Sequence, residues 1–230
     1  MAPQSVKLCF MITSDIVVAS QESDLPLSAV FSEMRFCLRG AWGGLWGRPE
    51  MVATVPNDRA MALRSFLALL IASPWFLFER WMAYRLPVWL YIPYNPPRLI
   101  TLEIIYELQS WAVFPLAVFV VAGVLGGRQN FWRFLTLNNW ATLVLLPFIM
   151  LIGIQDMMLG QSNLLVFLVT SAIAEMIILI AYCRLMKLSL DVAWWRAIGI
   201  MIVGFCTSMV WGEFLMSVFG LPAEPFLFAG

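Results

Sequence analysis

Long apolar stretches alternate with short polar or proline-rich segments along most of this chain. Five of them cover about Met61–Trp81, Leu99–Leu125, Phe134–Ile154, Asn163–Cys183 and Trp194–Phe219. Each is close to the ~20 residues that cross ~30 Å of hydrocarbon. The pattern therefore predicts an all-α membrane protein with about five transmembrane helices over residues 61–219. Pro74, Pro115 and Pro147 fall inside three of the stretches. Lipid-embedded helices accept proline where neighbouring groups satisfy the freed carbonyl, so a kink is expected at Pro74.

The segment ahead of the first span has a different rhythm. Over residues 28–47, Val30, Met34, Cys37, Leu38, Ala41, Trp42 and Leu45 recur at helical spacing, with Ser28, Ser32, Arg35 and Arg39 on the other face. This predicts an N-terminal amphipathic helix lying in the membrane interface, tryptophans at headgroup level and arginines toward phosphates. The alternative is the same helix packed on the protein itself. Pro49 is expected to end it, and 48–60 to be a polar loop. Residues 1–27 read as a poorly ordered arm, or as an extension ahead of a start at Met34. The apolar run Leu8–Ile12 is broken by Thr13-Ser14-Asp15, which argues against a signal peptide. Residues 82–98, with four prolines and Trp89, Tyr91 and Tyr94, predict an interfacial loop carrying an aromatic belt. Residues 220–230 form a short tail.

Charge tests the span count. With the N-terminus inside, eleven of the fourteen lysines and arginines fall on one side of a five-span layout and three on the other. That asymmetry is what the positive-inside rule expects. It places the N-terminus in the cytoplasm and the C-terminus outside. Helical spans point to a bacterial inner membrane, since the outer membrane uses barrels.

Composition sharpens the picture. The 230 residues are 62% hydrophobic and 12% charged, and the mean hydropathy is +0.85. A chain of this kind in water would expose large apolar patches. Formal net charge is zero and there is no basic tract, so nothing suggests a nucleic-acid surface. Histidine is absent, which removes the commonest general base and metal ligand. Cys9, Cys37, Cys183 and Cys206 form no CxxC pair, so no metal, haem or other cofactor is expected. Cys183 and Cys206 read as buried small apolar side chains. The motifs of serine hydrolases, nucleotide-binding loops and zinc proteases are missing. No catalytic residue is assigned, and the chain is read as a non-enzyme.

Some short matches carry a resemblance. They are Leu38-Arg39-Gly40-Ala41-Trp42 with Pro49, Arg64-Ser65-Phe66, Tyr106-Glu107 with Trp111, Phe114-Pro115-Leu116, and Asn138-Asn139-Trp140. Over residues 34–215 the layout resembles a group of small alphaproteobacterial membrane proteins and, more distantly, the five-span membrane domain of the Yip1 family. The resemblance implies the fold. It also implies a role in membrane organisation or trafficking in eukaryotes, with none assigned in bacteria.

Polar groups within the spans are the candidate site. Glu103 and Glu107, four residues apart, share a helix face. Two like charges there are costly in low dielectric, which suggests a proton or cation site. The alternative is a solvated pair near the interface, or one bonded to Arg98. Glu175 lies at the middle of the fourth span, where a carboxylate costs at least ~2.5–3.5 kcal/mol. It needs a proton or a polar partner, with Asn138, Asn139 and Ser171 the nearest choices. Either a functional group or a structural interhelical hydrogen bond fits. Glu213 and Asp156 read as solvated, Asp156 in a short outer loop. Gly123 and Gly127 are spaced for close helix approach. Gly40 and Gly44, beside Trp42 and Trp46, suggest a partner contact or packing within the monomer.

Two functions follow. One is a scaffold or accessory subunit of a larger membrane assembly, contacting lipids and other membrane subunits or further copies of itself. The other is a small proton- or cation-linked transporter or channel acting as an oligomer.

Overall fold

In a computed structural model of the protein, the residues described are 27–83, 96–159 and 164–218. Within them, described side chains are those of 28–78, 111–151, 165–166, 168–215 and 217–218. The expected arm, the Trp89–Tyr94 belt and the tail lie outside the described residues. All regular elements among the described residues are helical: α1 Leu27–Leu45, α2 Pro49–Thr54, α3 Arg59–Arg64, α4 Phe66–Ala83, α5 Pro96–Leu125, a one-turn 3₁₀ segment Arg128–Asn130, α6 Phe131–Leu159, α7 Leu164–Leu190 and α8 Trp194–Val218.

Four segments among these are long and apolar enough to cross a membrane: Arg59–Phe78, Arg128–Leu151, Leu168–Leu190 and Trp194–Leu215. The remaining expected span is helical as part of α5. Its apolar run among the described side chains, Trp111–Leu125, is shorter than a crossing.

The chain divides into two compact units, Met1–Phe36 and Cys37–Gly230. In the first, the opening turns of α1 expose Phe31 and Phe36, and Ser32 Oγ donates to the Ala29 carbonyl at 2.8 Å. The second holds the bundle. There α5 packs along α8, α6 along α7, α4 against α6, and α7 against α8.

Local sequence explains where the elements begin and end. α1 stops at Gly47, whose φ of +77° suits a residue without Cβ. Gly47 N–H donates to Gly44 O and Arg48 N–H to Gly43 O at 2.7 Å, the paired bonds of a Schellman cap. The polar-loop expectation for 48–60 is corrected here. Pro49 does not merely end one helix; it opens the next from the first-turn position, where no N–H is needed. Val52 and Val55 then turn inward and are buried. Asp58 caps α3, accepting from Ala60 N–H at 3.3 Å and Met61 N–H at 2.9 Å.

The first span breaks at Ser65 rather than at Pro74. Ser65 lies between α3 and α4, and α4 runs through Pro74. Proline denies the Leu70 carbonyl its usual donor. Ser73 Oγ supplies one at 2.8 Å, so the helix continues. Asp156 belongs to α6, which extends to Leu159, rather than to a loop.

Buried residues gather toward one end of the bundle. Phe131, Phe134, Val118, Met186, Leu190 and Ile200 form the centre of the core. Phe119 meets Phe131 edge-on at 4.9 Å between centroids. A Cβ at Gly204 of α8 would stand 2.9 Å from Phe114 Cε2, so this glycine sets how closely α5 and α8 approach. Lipid tails are as apolar as this core, so tight packing rather than apolar transfer holds these helices together.

The same end collects cations over aromatic faces. Arg59 lies over Trp132 at 5.7 Å, Arg128 over Phe119 at 4.3 Å, Lys187 over Trp194 at 5.2 Å and Arg196 over Trp195 at 4.9 Å. Such pairs suit a membrane interface, where cations meet headgroups and aromatic rings anchor. Asn57 ties the end together. Its Nδ2 donates to Gln129 O and its Oδ1 accepts from Arg133 N–H at 3.0 Å. Asn130 Nδ2 donates to Leu190 O at 3.2 Å.

Candidate functional site

Among the described side chains, Glu175 is not brought to Asn139. Asn139 is 1% exposed and donates from Nδ2 to Ser65 Oγ at 2.9 Å; Ser65 in turn donates to the Ala62 carbonyl at 2.6 Å. The buried amide thus fastens α6 to the break between α3 and α4. Thr142 Oγ1 donates to the Asn138 carbonyl at 3.4 Å. α6 and α7 run antiparallel, with Thr142 and Tyr182 sharing a side-chain hydrogen bond. Glu175 lies seven residues beyond Tyr182, and Asn139 three residues from Thr142 in the opposite direction. Helical rise separates them by about 15 Å along the axis. The expected pairing of Glu175 with Asn139 is therefore corrected.

Glu175 instead faces outward. It is exposed on α7 among Ile173, Met176 and Ile177, each more than half exposed. No described residue from Leu165 to Ile180 is buried. Over an eighteen-residue stretch of Leu168–Leu190 only 11% is buried, against 44% of the corresponding stretch of Arg128–Leu151. Ser171, one turn before Glu175, has a buried Oγ with no hydrogen-bond partner. Glu103 and Glu107 lie on the α5 backbone, but their side chains are outside the described residues. Glu213 is exposed near the end of α8. Cys206 is exposed too, which corrects its reading as a buried residue.

The glycines divide in two. On α1, a Cβ at Gly40 would strike Val55, one at Gly43 would strike Met51, and one at Gly44 would strike Leu185. These glycines seat the end of α1 on α2 and α7, so packing within the molecule accounts for them. Trp42 and Trp46 remain exposed, paired at 5.5 Å. Gly123 and Gly127 do not share a helix face, contrary to expectation. Gly123 is exposed on α5, whereas Gly127 lies past the helix end at φ +103°, packed on Leu190 and Val192.

Two adjoining hollows were not anticipated. A cleft of about 530 Å³ runs between α6 and α7 beneath the end of α1, with Leu45, Leu145, Phe148, Ile177 and Ala181 in its walls. A second hollow of about 320 Å³ is lined by Trp46, Gly47, Arg184, Lys187, Leu188 and Trp194. Trp46 and Arg184 line both. The usable signal in the sequence was the Arg184–Lys187 pair, one turn apart at the end of an apolar helix. No group of three or more metal-ligating side chains occurs among the described residues. No family model, curated protein or solved structure matches the chain.

Proposed function

We propose that this protein is a non-enzymatic membrane scaffold or accessory subunit, whose α7 receives a transmembrane helix of another polypeptide. The observation that carries the reading is Glu175, an ionisable group exposed at mid-helix on an otherwise apolar surface. In lipid a carboxyl group there is costly. A helix offering a hydrogen-bond donor, laid along α7, would relieve that cost and cover the aliphatic surface around it.

The test is gentle detergent extraction of the tagged protein, native-size separation and mass spectrometry, on wild type, Glu175→Gln and Glu175→Leu. A stoichiometric membrane partner is expected with wild type. An interhelical hydrogen bond is worth about 1 kcal/mol, so Glu175→Leu should lower partner recovery about fivefold. Glu175→Gln, which still offers hydrogen-bonding groups, should retain most of it. A monomer indifferent to Glu175→Leu would overturn the proposal. Proton-dependent flux in proteoliposomes that Glu175→Gln abolishes would favour the transport reading instead.

A further inference from the structure

We propose that the joined hollows at the end of α7 form a binding site for one anionic phospholipid, its acyl chain in the apolar cleft and its phosphate between Arg184 and Lys187. The inference is independent of the role given to Glu175, which lines neither hollow.

Three observations converge. The first is continuity. Trp46 and Arg184 line both hollows, so the two adjoin at these side chains. The second is length. The cleft extends along α7 from Arg184 to Ala174. Those ten residues rise about 15 Å, half of a ~30 Å hydrocarbon core. An acyl chain of one leaflet has that reach, whereas a short soluble anion would leave the cleft empty.

The third is charge. The smaller hollow presents two cations, and among the described residues no acidic side chain lines either hollow. Lys187 rests over Trp194 at 5.2 Å, which holds its ammonium at the rim. Basic pockets between helices at a membrane interface suit phosphate headgroups, and Trp46 and Trp194 suit the same depth. A zwitterionic headgroup would bring its own cation toward Arg184 and Lys187 and would be disfavoured.

The protein's own architecture prepares the site. Gly47 at φ +77° turns the chain sharply after α1 and leaves Trp46 at the junction. Gly44, pressed on Leu185, keeps the end of α1 close to α7. The hollow is therefore built by the folded second unit rather than by a loose surface.

Native mass spectrometry of the full-length protein in detergent tests this, titrating phosphatidylglycerol and phosphatidylcholine with identical chains. Phosphatidylglycerol should occupy one site at least about fivefold better, a modest electrostatic preference for a two-cation pocket. Arg184→Gln with Lys187→Gln should reduce its occupancy to the phosphatidylcholine level. Arg59→Gln, which removes a cation at the same end but outside both hollows, should leave it unchanged. Ala181→Phe keeps both charges and fills the cleft, and should also lose the lipid. Glycerol phosphate, the headgroup without chains, should not compete at equal concentration. Equal binding of the two lipids would overturn the proposal. So would a preference that survives Arg184→Gln with Lys187→Gln, or competition by glycerol phosphate as effective as by the lipid.

Discussion

At the scale of single residues, several helical hydroxyl groups are satisfied within their own helix. Thr136 and Thr207 each donate to the carbonyl four residues back, at 2.9 Å and 2.7 Å. Such back-bonding hides a hydroxyl from lipid without needing a second helix. Amides reach further: Asn57 bonds to Gln129 and Arg133, Asn130 to Leu190, and Asn139 to Ser65, a buried pair joining residues 74 positions apart. Replacing Ser65 alone should destabilise the protein by about 1–3 kcal/mol, because the buried Asn139 amide loses its acceptor, whereas replacing Asn139 alone leaves Ser65 its bond to the Ala62 carbonyl and should cost less. Replacing both, Ser65→Ala with Asn139→Leu, should cost less than the sum of the single changes. Unfolding in detergent, analysed as a double-mutant cycle, measures the coupling. Additive single and double effects would show that the bond contributes nothing.

At the scale of elements, close approach is decided by glycines in contact rather than by glycines at a familiar spacing. Gly44 presses on Leu185 of α7, whereas a Cβ at Gly123 meets only Arg128 Cδ at 3.6 Å. Gly44→Ala should therefore cost about 1–3 kcal/mol through overpacking. Gly123→Ala should be neutral or slightly stabilising, since alanine is the better helix former. Thermal unfolding of the two variants side by side checks the contrast. Equal losses would mean that the α1–α7 contact is not as tight as described.

At the scale of the whole second unit, one end carries the core, the cation–aromatic pairs and the basic hollow. Gln129 and Asp191 are both exposed there, beside the Asn130–Leu190 hydrogen bond. Cysteines introduced singly at these two positions, in a background lacking the four native cysteines, should react with a membrane-impermeant maleimide from the same side. The positive-inside expectation assigns that side to the cytoplasm, and on it labelling should require permeabilisation. Labelling of the two from opposite sides would break the α5–α6 and α7–α8 arrangement.

The sequence by itself determined that the chain is helical and built for lipid, because apolar runs of spanning length leave no other way to satisfy the backbone. It also set α1 and α8 close to their observed limits, whereas α7 runs seven residues past the expected Cys183 and α6 five past the expected Ile154, because helix continues beyond the apolar run. Short-range context already changed some details: Pro49 opens α2, and Ser73 offsets Pro74, both through neighbours within a few residues. Only the tertiary structure decided which polar groups meet. Asn139 finds Ser65 and leaves Glu175 on the surface, because helix register and rotation arise from packing contacts far apart in sequence. The cleft beside Arg184 arose in the same way. Its walls come from α1, α6 and α7, and no periodicity within one helix encodes the space between three.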